Sequence, residues 1–542
     1  MGAGESRAAD WIVLAVSEAF YFDCDAALAH ANWREHTAWP RSLAETDRDN
    51  RLAWAEYWSL IKSLMGNDRE CLLLAGGRIF AQCLALAEAA SVVQAATRSG
   101  MEVLGGPRAV RFYRSARADA ESPAMISSSA FKQPADPSFV MLRRWARSLA
   151  LSPPKAWASA LISPDAVALS HNDLMHGYAA AQGLGVGFLH GEEIFKAAQR
   201  NGTEPGTAVA PDLADRVSAI FLAGRTLADR YVQRFMAMAR PLVANALQTA
   251  ARDISGVRKI RKLPSQIWIG GGGYYPARLA AQEVRRRGGS VTGFEHGWGS
   301  ASETVAEGLA FGELAFADSY VAYTPRSARM FRESRAEGIN IREKPTRFLE
   351  GNGDPSMRKA DKLRNGAVRP RHRLKVLYAP TITAGFRQMA PPLLPDPAYL
   401  NWQMQICEAM NGVPVNFVWR PHPEGYFRNR RHPLAGHAAH SDRPFEELAR
   451  EADVFLFDFR QSTTFGHALC SDRPIVLLDF GLRPFDDETE DAIRKRCRVV
   501  DVAFDALNRP LLDVDHLKNA VLSSEEAGPD NQFFRSLLIG QA

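Results

Sequence analysis

The sequence predicts an α/β protein of two domains, each built on a doubly wound parallel sheet, with a helical insertion in the N-terminal half. Three observations predict it. Short apolar runs alternate with helical periodicity from Gln266 onward. Several of those runs stop on polar or glycine-rich tips, as strands do where a parallel sheet presents its ligand-binding edge. The chain, at 542 residues, is also too long for a single core.

Residues 1–106 read as an N-terminal α/β part. Buried strands are expected at 11–16 and 71–75, with a helix over 51–63 between them. Gly76-Gly77 reads as a turn before an Ala/Leu-rich helix to about Thr97. Residues 107–264 are dominated by helical periodicity, as over 138–151 and 212–253, and form the helical insertion; Pro241 is expected to break the last helix. Inside it lies a polar stretch from Ser170 to His176. His171 and His176 are five positions apart, which on one helix is roughly 140° and argues against a shared metal. Residues 265–356 complete the first α/β domain. A strand at 266–270 meets Gly270-Gly271-Gly272-Gly273, a helix follows over 275–287, and a strand at 290–294 ends in Glu295-His296-Gly297-Trp298-Gly299. Another strand is expected within 316–323. Residues 357–373, dense in Arg and Lys, read as a basic linker, 374–510 as a C-terminal nucleotide-binding α/β domain, and 511–542 as a tail.

Composition bounds the function. With 46% hydrophobic and 23% charged residues the chain belongs with folded globular proteins. A formal net charge of +5 is small for this length and speaks against a nucleic-acid partner, while basic clusters at 258–262 and 357–375 suit an anionic membrane surface. Six scattered cysteines without a CxxC pair fit reduced thiols, not a disulfide framework or a zinc site. The first ten residues lack a signal-peptide pattern, and no run approaches the ~18 apolar residues of a membrane span. The expected location is cytoplasmic, peripheral on the inner face of the membrane.

Chemistry gathers at strand tips. The apolar run 415–419 stops on Arg420-Pro421-His422-Pro423, because two prolines cannot continue a central strand. Forty positions beyond His422, Gln461-Ser462-Thr463-Thr464 lies between a strand and a helix, where hydroxyls cap the helix and its free N–H groups suit a phosphate. Parallel strands place Arg420, His422, Ser462, Thr463 and Thr464 along one edge, with Thr381 beside them. Gly271 and Gly272 offer either a backbone surface close to a ligand or a tight turn. Tyr275 stands where a dinucleotide fingerprint needs its third glycine, yet Glu295 falls where a ribose-binding acid would sit, so a nicotinamide-dependent oxidoreductase stays open. Glu295 and His296, opposite the phosphate edge, supply an acid and a histidine able to deprotonate an acceptor hydroxyl.

These residues resemble a family. Arg-Pro-His-Pro after a strand, Asp458 with Ser462-Thr463-Thr464 before Ala468-Leu469, and Asp472-Arg473-Pro474-Ile475-Val476 are similar to the nucleotide-binding half of GT-B glycosyltransferases. They look most like the bacterial surface-polysaccharide branch of capsule β-Kdo transferases, sialyltransferases and CDP-glycerol glycerophosphotransferases. Glu295-His296-Gly297 resembles the His-Gly element of the other domain. The resemblance spans about 266–502 and implies two Rossmann-like domains of GT-B type. It also implies a CMP- or CDP-linked donor held by His422 and Ser462 to Thr464, and a glycan or lipid-linked acceptor served by Glu295 or His296. Neither a metal nor a resident cofactor is implied, and no convincing DxD-like site is present. Many GT-B enzymes carry a ribose-holding Glu just inside the helix where this chain has Phe465-Gly466-His467, a departure that suits a cytidine donor better than UDP or GDP. A non-catalytic scaffold of a polysaccharide assembly complex is the third reading.

Overall fold

A computed structural model describes residues 19–115, 140–202, 209–358, 373–383, 394–423, 425–523 and 530–540. The strand expected at 11–16 and most of the basic linker lie outside them.

The described N-terminal segment is helical at 71–75, where a strand was expected. Strand β1 (Ala19–Tyr21) pairs with β2 (Glu102–Leu104) in a small parallel ribbon, and long helices Leu43–Ser63 and Gly66–Arg98 lie between. The first begins with a Ser42/Glu45 capping box that satisfies two amide donors of its first turn. Cys71 to Ala75 and Gly76-Gly77 all belong to the second. Gly76 is no turn residue: a Cβ there would stand 2.6 Å from Phe311 and 2.7 Å from the Tyr57 hydroxyl, so the glycine lets a ring close on the helix. An all-round apolar helix buried in a core cannot be told from a strand by period. The same helix is apolar and long enough by composition to cross a membrane, but it is mostly buried inside the protein.

The first large sheet is wholly parallel, with order β4-β3-β5-β6-β7-β8. Its strands are β3 (Ala166–Ala168), β4 (Val186–Phe188), β5 (Gln266–Ile269), β6 (Ser290–Phe294), β7 (Ser319–Ala322) and β8 (Arg347–Glu350). Two of its six strands, β3 and β4, therefore fall within the stretch read as a helical insertion. Ala-Val-Ala and Val-Gly-Phe are too short to show a period of two. Between β4 and β5 the chain runs through helices Gly191–Asn201, Leu213–Ile220 and Asp229–Arg258, and the last continues through Pro241 without a break.

The second sheet is also parallel, with order β11-β10-β9-β12-β13-β14. It comprises β9 (Lys375–Tyr378), β10 (Asn416–Trp419), β11 (Ala439–His440), β12 (Val454–Phe457), β13 (Ile475–Asp479) and β14 (Arg498–Asp501). Counted within this sheet the order is 3-2-1-4-5-6, which reverses direction between β9 and β12 and opens a crevice at their C-terminal ends.

One apolar core joins the two halves. Phe294, Trp298 and Tyr323 from the first half share it with Phe457, Phe465 and Phe485 from the second. The expected tail closes it: helix Gln532–Leu538 buries Phe534, Leu537 and Leu538 there, and its carbonyls accept from Thr324 Oγ1 and Asp354 N. Phe533, Phe534, Leu537 and Leu538 recur at helical spacing, so this segment docks as a helix and is not a tail.

Candidate active site

Strand pairing brings the C-terminal tips of β10, β9 and β12 to one edge in that order. The loops that carry Arg420 and His422, Thr381, and Ser462 to Thr464 therefore leave neighbouring strands in that order. Ser462 is the N-cap of helix Thr463–Cys470; its Oγ accepts from Phe465 N at 3.1 Å and lies 3.0 Å from Thr464 Oγ1. The first-turn amides of such a helix have no intrahelical acceptor and carry its partial positive charge.

At the crevice between β9 and β12 sits Asp458, 2% exposed. Tyr378 and Tyr399 each donate a hydroxyl to one of its oxygens, at 2.6 and 2.8 Å, and Thr381 N donates to the Tyr399 oxygen at 3.0 Å. Burial nevertheless pushes its carboxyl up to about 6. The Thr381 turn is thus locked to the crevice floor. Arg420 is half-buried, and its Nε donates to the Arg443 carbonyl at 3.0 Å on the β11 side. Beyond Asp458, Arg460 is buried between Asp479 and Glu490. A cavity of about 270 Å³ opens beside these residues, with Asp47, Asn50, Arg51 and Trp54 of helix Leu43–Ser63 on its far wall.

The Glu295 tip of β6 meets this edge. Gly297 and Gly299 adopt left-handed φ values of 73° and 84°, which turns the loop sharply. Between them Trp298, 4% exposed, donates Nε1 to the Arg460 carbonyl at 2.8 Å and packs on Phe465 and Phe485. A Cβ on Gly297 would lie 3.9 Å from Thr463 Oγ1. The His-Gly loop of one sheet therefore rests on the helix N-terminus of the other.

Glu295 and His296 part company at this loop. The Glu295 carboxylate points inward, 1% exposed, accepting from Tyr323 N and Ser327 Oγ, both at 2.7 Å. Burial pushes it up to about 7. His296 is half-exposed, with Nδ1 3.9 Å from a Glu313 oxygen and its ring over Gly271, where a Cβ would lie 3.5 Å away. Gly272 answers to packing: a Cβ there would fall 1.6 Å from the Gly312 carbonyl oxygen.

Sequence reasoning missed Trp298 as the joint between the sheets, the Asp458–tyrosine lock and the helix that walls the cavity. The Trp between two glycines was the one available signal; nothing local says that residues near 50 reach the second sheet.

No protein-family model matches this chain, and no curated protein sequence matches it. Among solved structures, the wall teichoic acid polymerase TagF is similar at a TM-score of 0.31 and 14% identity, over 54% of this chain and 71% of that one. A second TagF structure, of a histidine-to-alanine variant, gives 0.30 and 13% over the same shares. Overlap this slight leaves the site to be judged on its own residues.

Proposed function

We propose that the protein is a two-domain transferase of GT-B type. It moves a sugar acid such as Kdo or sialic acid from a CMP-linked donor onto a glycan or lipid-linked acceptor of a surface polysaccharide. The observation that carries this reading is the seating of the His296-Gly297-Trp298 loop on the Ser462-capped helix N-terminus. It sets the loop that bears His296 against a helix N-terminus of the kind that favours anions. His422 and the Ser462 to Thr464 turn hold the donor phosphate, and the helix N-terminus stabilises the charge left on it. His296 serves as the base for the acceptor hydroxyl, with Glu313 beside its Nδ1. Glu295, buried and bonded to Tyr323 and Ser327, positions the loop. A glycerophosphate from CDP-glycerol is the alternative cargo for the same edge. Release of CMP from CMP-Kdo and CMP-sialic acid, and of CMP from CDP-glycerol, tests the reading. Turnover of one donor supports it; no turnover and no binding of any would reject it.

Membrane contact fits a second surface. Helices Val140–Leu151 and Trp157–Ile162 expose Leu142, Trp157, Leu161 and Ile162, the last 85% exposed, beside exposed Arg143, Arg147 and Lys155. No Asp or Glu occurs from 140 to 164. Apolar tips amid unopposed positive charge suit the interface of an anionic bilayer, where a lipid-linked acceptor would be.

A further inference from the structure

The polar stretch at the end of β3 is not used by the transfer site. The helix there starts only at Asp173, with Asn172 as its N-cap, so His171 precedes it and the angular separation of a single helix does not apply. The two imidazoles instead meet edge to face with centroids 4.8 Å apart, and His171 Nδ1 lies 3.3 Å from His176 Nε2.

The other nitrogen of each ring has an acceptor already. His176 Nδ1 lies 2.6 Å from the Ala150 carbonyl oxygen, and His171 Nε2 lies 3.4 Å from Asp173 Oδ1. With protons on those outer nitrogens, both rings turn lone pairs toward each other. Two acceptors at that distance repel unless a cation lies between them. Zinc–nitrogen bonds of about 2.0–2.1 Å in a tetrahedron separate two ligands by about 3.3–3.4 Å, which is the spacing found. An outer carbonyl and an outer carboxylate that fix the tautomer are what metal-bound histidines carry.

We propose that His171 Nδ1 and His176 Nε2 bind one zinc-class divalent ion, with Asp173 orienting His171 and the remaining positions open to water. One ligand atom from each of the three residues lies within 4.8 Å of the others, so the carboxylate is also within reach of the ion by a side-chain turn. Between the two histidines, Asn172 donates Nδ2 to the Gly270 and Glu295 carbonyls at 3.2 and 3.0 Å, so the site braces the backbone of the His296 loop and acts as a clamp. Through the Ala150 contact it ties the end of helix Val140–Leu151, which bears the exposed apolar and basic patch, to the sheet edge.

The test uses the full chain stripped of metal and titrated with zinc chloride by calorimetry, with cobalt(II) absorption reporting the ligand field. One ion should bind; His171→Ala and His176→Ala should weaken it by about tenfold or more, and Asp173→Asn by about tenfold. Zinc should also raise the thermal midpoint of the wild type and not of the two alanine variants. His176→Gln serves if either alanine variant fails to fold. No stoichiometric zinc in the wild type, or equal affinity in the histidine variants, would overturn the proposal and leave a shared proton between the rings.

Discussion

Replacing Gly466 with alanine probes the seating of the His-Gly loop on the Ser462 helix. Gly466 lies inside helix Thr463–Cys470, where alanine alone would stabilise by about 1 kcal/mol. Its new Cβ, however, would stand 2.8 Å from Trp298 Cβ and Cγ. Carbon atoms want about 3.5–4.0 Å, so the indole must retreat by close to ångström scale. It has nowhere to go cheaply. Phe465, Phe485 and Phe534 surround it, and moving it stretches the Nε1 bond to the Arg460 carbonyl. Overpacking costs about 1–3 kcal/mol and the lost hydrogen bond about 1 more. Repulsion thus exceeds the helix gain by about 1–3 kcal/mol, or roughly 5- to 150-fold in the population of the seated loop. Urea unfolding should show the lower stability, and calorimetric titration with CMP and CDP the weaker binding. A variant as stable as the wild type with unchanged nucleotide affinity would refute the packing argument.

Other outcomes follow from the same structure. Glu295 has a folded value of about 7 against a usual 4.5, so between those values the native state holds a proton that the unfolded chain releases. Stability should therefore fall as pH rises across that window, by at most about 3 kcal/mol from this group, and Glu295→Gln should flatten the slope in urea titrations at successive pH values. An unchanged slope would place the titration elsewhere. Arg460→Met strands Glu490 in a buried site and leaves Asp479 only Arg494, at 3.2 Å, and should cost about 3–5 kcal/mol in unfolding free energy; a loss below about 1 would mean that the cluster is solvated. Leu161→Asp with Ile162→Asp, both exposed positions, should abolish flotation on phosphatidylserine vesicles while the urea midpoint stays put, and retained flotation would exclude that patch as the membrane contact.

How much could be read from sequence varied with what organised each segment. The inner strands of the second sheet were legible because they are apolar runs, such as Val-Phe-Leu-Phe at β12, stopped by proline or polar turns, whereas Ala-His at β11 and Arg-Val-Val-Asp at β14 were too short or too polar to stand out. The hydroxyls at Ser462 marked the start of one helix there. The first half was not legible in the same way. A core helix such as Gly66–Arg98 is apolar on every side, so Cys71 to Ala75 mimicked a strand, while β3 and β4 were too short to stand out against helices. At the site, parallel topology accounted for the neighbouring order of the strands that lead to Thr381, His422 and Ser462. What no local pattern held was orientation. That Glu295 turns inward while His296 stays at the surface depends on Tyr323 and Ser327, some thirty positions later. The histidines at 171 and 176 failed for a related reason: helical geometry was applied across a residue that precedes the helix.

The most direct test of the transferase reading is nucleotide affinity at the shared strand edge. CMP and CDP are titrated into the wild type, His422→Ala and Ser462→Ala, with circular dichroism confirming that each is folded. The account predicts that the wild type binds at least one of the two nucleotides and that each variant binds it about tenfold or more weakly, the loss of one charge-assisted or capping contact to phosphate. Failure of the wild type to bind either nucleotide, or equal affinity in both variants, would contradict it.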